Sequence, residues 1–202
     1  MPEKAIYRTI PEQITAHLRH EILSGKLQPG QPLREQEIST RFSVSRGPIR
    51  EALRQLTEQG LLILEPNKGV RVAQYLSESV RPLTVDLRRQ IEAFTLDSIF
   101  DQITPQDIEM WEGILADIKT ACEQGDAAAL VDHDLRFHQA IIQSHDDKDL
   151  FALWQPIALR MLMQYTRFDD LMDSYYEHKR LLAAIRSGDK EMSLAALKEN
   201  IQ

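Results

Sequence analysis

Apolar positions recur at helical spacing from Ile10 onward, where Ile14, Leu18 and Ile22 follow one another four residues apart. Gly25 is placed to close that helix in the left-handed conformation, and Pro29-Gly30 breaks the chain with a turn. A short helix is expected from about Arg34 to Phe42, with Leu33, Ile38 and Phe42 as its buried positions. Ser45 then stands ready to cap a third helix, whose Ile49, Ala52, Leu53 and Leu56 fall at i, i+3, i+4 and i+7 and form its buried stripe. Pro48 sits in the first turn, where its missing N–H costs nothing. After Gly60 the period changes. Leu61–Glu65 and Gly69–Ala73 read as two short strands around a Pro66-Asn67-Lys68-Gly69 turn.

From about Glu78 the pattern is helical throughout. Leu83, Leu87, Ile91 and Phe94 mark a long helix. Thr104-Pro105, with Asp107 three residues after the cap, opens a second one lined by Ile108, Trp111, Leu115, Ile118 and Cys122 and ended at Gly125. Asp126 caps a third, running to about Ser144. A fourth is expected from about Asp149 to Phe168, with Leu153, Ile157 and Met161 inward and a kink or break at Pro156. A fifth covers about Ser174–Ser187, and a sixth follows the Gly188-Asp189 turn. The expectation is a mainly α protein: a winged helix-turn-helix unit with a small hairpin over residues 1–74, then an all-α bundle of about six helices over 75–202.

Charge sharpens this division. The net charge of −7 argues on its face against a nucleic-acid binder, yet residues 1–74 carry a net +3 and residues 75–202 a net −10. No apolar run approaches the roughly 20 residues of a membrane span, and the first residues lack the apolar segment of a secretory signal. The one cysteine, Cys122, allows no intrachain disulfide and lies on an apolar helix face, where a buried small hydrophobe is expected. A cytoplasmic, membrane-free location is expected.

The chemistry of the first half lies on the third helix. Arg46, Arg50 and Arg54 share one exposed face, and Gly47 leaves the helix start without a side chain. Two helices joined by a tight turn, the second with cationic residues at its exposed N-terminal end, suit major-groove reading, with the hairpin as a wing tipped by Lys68. Spacing alone equally allows a solvated arginine stripe on a small helical domain. In the second half, Asp134 and His138 lie four residues apart on one helix and can aim at one point, and His178 could supply a third metal ligand. The adjacent Asp132 and His133 fall on different faces, and His145 is expected to face solvent.

The stretch Pro29-Gly30-Gln31-Pro32-Leu33, the run Val44 to Leu56 and Gly60-Leu61-Leu62 closely resemble the winged helix-turn-helix of GntR-family regulators. The resemblance implies DNA contacts by Ser45, Arg46, Gly47 and Arg50, with Lys68 and Gly69 at the wing tip. Arg34 is a further candidate, although the family's basic residue two positions on is Gln36 here. Arg46 is the candidate base reader, because a guanidinium can grip guanine O6 and N7 together. Arg50 and Arg54 are candidates for phosphate.

Asp134-Leu135-Arg136-Phe137-His138, Glu177-His178 with the apolar stretch after it, and Arg88 through Glu92 resemble the FadR-type effector domain called FCD. That resemblance implies a divalent metal, zinc or nickel, held by Asp134, His138 and His178, with a small carboxylate effector completing its coordination. The family's last histidine falls at Asn200, whose neutral amide oxygen is a poorer zinc ligand than imidazole. Arg88, and after it Arg160, are the candidates for pairing the effector carboxylate. The whole reads as a homodimeric DNA-binding repressor of a palindromic operator, controlled by an organic acid. The rivals are a metal-dependent enzyme using Asp134, His138 and His178, and an interaction module docking its basic helix on an acidic partner.

Overall fold

The structure, a computed structural model, describes residues 9–164 and 170–202. Its contacts divide into two compact units, with the division after Tyr75.

In the first unit, α1 (Ile10–Leu23) starts on a capping box in which Thr9 and Glu12 satisfy each other's backbone N–H groups. It packs against α3 (Arg46–Glu58), and α2 (Glu35–Phe42) closes the three-helix unit. Ile14, Leu18, Ile38, Ile49, Leu53 and Leu56 are buried, each worth about 1.5–3 kcal/mol of transfer free energy. Strands β1 (Leu62–Glu65) and β2 (Gly69–Val72) pair antiparallel, with Leu62 opposite Val72 and Glu65 opposite Gly69. The loop before α2 adds a third edge, where Leu33 N donates to Val70 O at 2.9 Å and Val72 N to Gln31 O at 3.0 Å.

Two details depart from the pattern. Phe42 is half-buried, packed edge-on against His17 with the Arg41 guanidinium over its ring. Glu21, on α1, is buried among cations: Arg41 grips it with both terminal nitrogens, and Lys26 Nζ lies 2.6 Å from its Oε1. Burial alone would push this carboxyl up, but the hydrogen bonds and charges of Arg41 and Lys26 outweigh it and hold it at about 2.

The second unit is all helical among the described residues: α4 (Arg81–Ile99), α5 (Pro105–Gln124), α6 (Ala127–Gln143), α7 (Lys148–Leu162), α8 (Met172–Ser187) and α9 (Lys190–Asn200), with one 3-10 turn at Phe100–Gln102. The expected Thr104–Asp107 capping box and the left-handed Gly125 and Gly188 are present. Trp111, Ile118, Leu130, Phe137, Ile141, Leu181 and Leu197 centre the core.

The apolar positions that mark α4 turn outward. Leu83 and Phe94 are each 58% exposed and Leu87 38%, while Arg88, Glu92, Thr95, Leu96 and Ile99 face inward. On α7, Leu153 is exposed, Ile157 half-buried and Met161 buried. The helix runs unbroken through Pro156 and ends at Leu162, whereas the expected end at Phe168 lies outside the described residues. His145 is half-buried against Phe94, with ring centroids 6.0 Å apart, rather than facing solvent.

Candidate nucleic-acid interface and metal centre

The left-handed Ser43 ends α2, and the extended Ser45 leads into α3. Ser45 occupies the N-cap position, but its hydroxyl makes no capping hydrogen bond. The expected side-chain cap is therefore absent, and the first N–H groups of α3 point outward with the positive end of the helix dipole. Arg46, Gly47, Arg50 and Arg54 are all exposed on this helix. A Cβ at Gly47 would meet nothing within 4 Å, so packing inside the protein places no demand for glycine there.

The cations differ in what holds them. Arg50 Nε donates to Glu35 at 2.8 Å, Arg34 to Glu37 at 3.0 Å, and Lys68 Nζ lies 3.2 Å from Glu65. Arg54 is gripped by both Glu51 and Glu58, and the hydrogen bond and charge of Glu51 raise its pKa further above its ordinary value. Arg46 instead donates to the neutral amide of Gln36. Exposed ion pairs contribute only about 0–1 kcal/mol, so phosphates can displace Glu35 or Glu37 at little cost. Arg54, held twice, is the least available. Gly69 opens β2 with φ 79°, a left-handed conformation that a side chain would strain, and Lys68 projects beside it at the turn.

The second site is buried. Asp134 and His138 project inward from α6 and His178 from α8, and one ligand atom from each lies within 4.8 Å of the others. His178 Nε2 is 3.5 Å from Asp134 Oδ1. Among the described residues, neither Asp134 Oδ2 nor His178 Nε2 has a hydrogen-bond partner. Buried orphan atoms of this kind are costly unless a ligand satisfies them, and an acceptor oxygen beside an imidazole nitrogen suits a cation. His178 Nδ1 donates to the Ser174 carbonyl at 2.8 Å, which leaves Nε2 as the lone-pair nitrogen. Burial pushes its pKa down to about 4, so the ring is neutral near pH 7, the state a metal needs. Asp134, His138 and His178 therefore fit a divalent ion.

Around them, Glu92 is fully buried. Its Oε2 meets His138 Nδ1 at 2.5 Å, and its Oε1 accepts from Arg88 Nε and Trp154 Nε1, each at 2.7 Å. Burial would raise this carboxyl, but His138 and Arg88 hold it at about 2. Arg88 Nη2 lies 3.8 Å from Asp134 Oδ2. Asn200 is buried beside His178, its amide nitrogen 3.3 Å from Nδ1. A small cavity of about 20 Å³, room for roughly one water, lies among Arg81, Arg88, Asp134, Met161, Leu162 and Asn200. Arg81 lines it; Arg160, half-buried on α7, is not among its lining residues.

Arg81 and Glu92 thus join the centre without a role assigned from sequence. Arg81 carried no signal, whereas Glu92 lay within the Arg-x-x-x-Glu motif. His133 faces outward toward Asp117 and Arg136, away from the centre, as its position on the helix implied. Cys122 is buried, its thiol pushed up by burial and directed at the Leu171 carbonyl, a structural rather than reactive setting.

Comparison with known proteins assigns each half of the chain to a described family. The family described as bacterial regulatory proteins, gntR family, matches residues 10–72, and the FCD domain matches residues 84–202. The chain is 26% identical over 98% of its length to the gluconate operon transcriptional repressor of Bacillus licheniformis, covering 85% of that protein. It is 28% identical over 96% of its length to the HTH-type transcriptional repressor RspR of Escherichia coli, covering 86% of it. Its fold matches the solved structure of E. coli McbR/YncC with a TM-score of 0.82 at 23% identity, over 97% of this chain and 95% of that one. These relatives are regulators, and the enzyme reading of the Asp134, His138 and His178 centre lapses with them. The chain belongs to the GntR family of bacterial transcription regulators, with a winged helix-turn-helix followed by an FCD domain.

Proposed function

We propose that this regulator is a cytoplasmic repressor that binds a palindromic operator as a homodimer and is released or retained by a small carboxylate sensed at a metal-containing FCD site. The observation that carries the DNA part is the exposed start of α3, where Ser45, Arg46, Gly47 and Arg50 stand together and a side chain at Gly47 would meet nothing. Arg46 reads a base; Ser45, Arg34, Arg50, Lys68 and, more weakly, Arg54 meet backbone phosphates; Gly47 and Gly69 allow close approach. The names of the repressor relatives support the sign of regulation.

The homodimer is supported by the outward apolar stripe of α4. Leu83, Leu87 and Phe94 are exposed along one face of α4, and α7, which packs on α4, carries the exposed Leu153. A two-fold pair of such faces would give the protein the symmetry of a palindromic operator.

Asp134, His138 and His178 hold the cation, and Asn200 lends an amide oxygen or orients a water. When bound, the metal supplies a positive charge to which a carboxylate can attach. Arg88 and Arg81 supply the matching guanidinium contacts from the protein, with Arg160 a more distant contributor. The effector acts by binding two conformations unequally, and its effect on DNA affinity is matched by an equal effect of DNA on its own. A binding selection with the full chain on genomic fragments of the source organism tests this function. Enrichment of an inverted repeat is the expected outcome, and no enriched sequence would contradict it.

A further inference from the structure

The two imidazoles of the buried centre are oriented by different partners. His178 donates Nδ1–H to a backbone carbonyl on its own helix. His138 instead meets the Glu92 carboxylate across from α4 at 2.5 Å, and both groups are almost wholly shielded from water. The same carboxylate accepts from two groups that can only donate, Arg88 Nε and Trp154 Nε1, both on Oε1. Oε2 is thereby left to His138, whose Nδ1 must supply the proton. Nε2 remains as the ring nitrogen that faces ligands.

We propose that Glu92 is the positioning residue of this centre: it fixes His138 as the Nδ1–H tautomer and ties that ligand to Arg88. A carboxylate behind an imidazole makes it a stronger ligand and fixes its orientation. Because Arg88 shares the carboxylate and also lies beside Asp134, an anion that draws Arg88 away alters the hold on His138. Glu92 is therefore the point at which cation and carboxylate binding are coupled. This rests on the metal reading above, but the state of His138 can be measured without any metal.

The experiment uses the full chain, labelled with nitrogen-15, and its E92Q and W154F variants. Histidine tautomers are read by two-bond proton–nitrogen correlation in metal-free protein, and zinc affinity by competition with a chelating dye. In the native chain His138 is expected as Nδ1–H; in E92Q that preference is lost and zinc binds about 10–100-fold more weakly. W154F removes one hydrogen bond from the hub but keeps the carboxylate, so its tautomer and zinc affinity stay native. An Nε2–H tautomer at His138 in the native chain overturns the proposal, even if E92Q fails to fold. So does native zinc affinity in E92Q, or an equal loss in W154F, which would make the effect one of packing. A native chain that binds no zinc while His138 stays Nδ1–H would instead refute the metal reading and leave the role of Glu92 toward His138 intact.

Discussion

Arg50 reaches from α3 to α2, donating its Nε to Glu35 at 2.8 Å. The contact ties α3 to α2 and also masks a cation proposed to meet DNA. Removing the masking charge in Glu35→Gln is expected to strengthen binding to any duplex, by up to about fivefold, the equivalent of an exposed pair of roughly 0.2–1 kcal/mol. Fluorescence anisotropy with random DNA measures this, and an unchanged affinity would show that Arg50 does not meet phosphate.

Gly47 separates stability from function. Its backbone is helical and a Cβ there has open space, so Gly47→Ala is expected to raise thermal stability, by about 0.5–1 kcal/mol. DNA affinity is expected to fall by tenfold or more, roughly the 1.4 kcal/mol equivalent of a displaced close contact. A variant that is more stable and binds DNA as tightly as the native chain would remove the helix start from the interface.

Glu21 makes the winged unit acid-sensitive. Its folded-state pKa of about 2 lies below the ordinary 4.5. The contribution is therefore fully present above pH 4.5 and lost as the pH falls toward 2. With its cationic partners partly exposed, the loss is on the order of 1–3 kcal/mol. Thermal melts of the full chain between pH 6 and 2.5 should show the winged unit losing stability more steeply in the native chain than in Glu21→Gln. Parallel pH curves for the two would deny Glu21 this role.

Charge placed on the outer face of α4 should separate the protomers. Phe94→Asp and Leu87→Glu are expected to give a monomer with native helix content and weakened binding to a two-half-site duplex, read by analytical ultracentrifugation and circular dichroism. Dimers that persist in both variants would put the interface elsewhere.

Helix α4 is marked in the sequence by its apolar stripe alone. Periodicity located the helix and its apolar stripe correctly but could not say which face turns inward, because a 3.6-residue period marks a stripe and not its partner. The inward face is polar at Arg88, Glu92 and Thr95 before it turns apolar at Leu96 and Ile99, and its charged part is stable only because Arg88, Glu92, His138 and Trp154 satisfy one another across three helices. Such satisfaction is non-local, and no window of sequence contains it. Glu21 escaped for the same reason in part, since Arg41 reaches it from twenty residues on, although Lys26 lies only five away. By contrast, the Thr104–Asp107 cap, the Asp134–His138 pair and the arginine face of α3 depend on residues within about eight positions, and each was legible. His178 joins the centre through tertiary packing, and only its resemblance to the FCD pattern marked it beforehand.

The central claim is that α3 reads DNA sequence, with Arg46 at a base edge. The affinity of the native chain and of Arg46→Ala for a selected operator and for a scrambled duplex, at matched salt, tests it most directly. The native chain should favour the operator by about a thousandfold or more. Arg46→Ala should lose about 1–3 kcal/mol on the operator and much less on the scrambled duplex. Equal affinity of the native chain for both duplexes, or an equal loss on both in the variant, would contradict it.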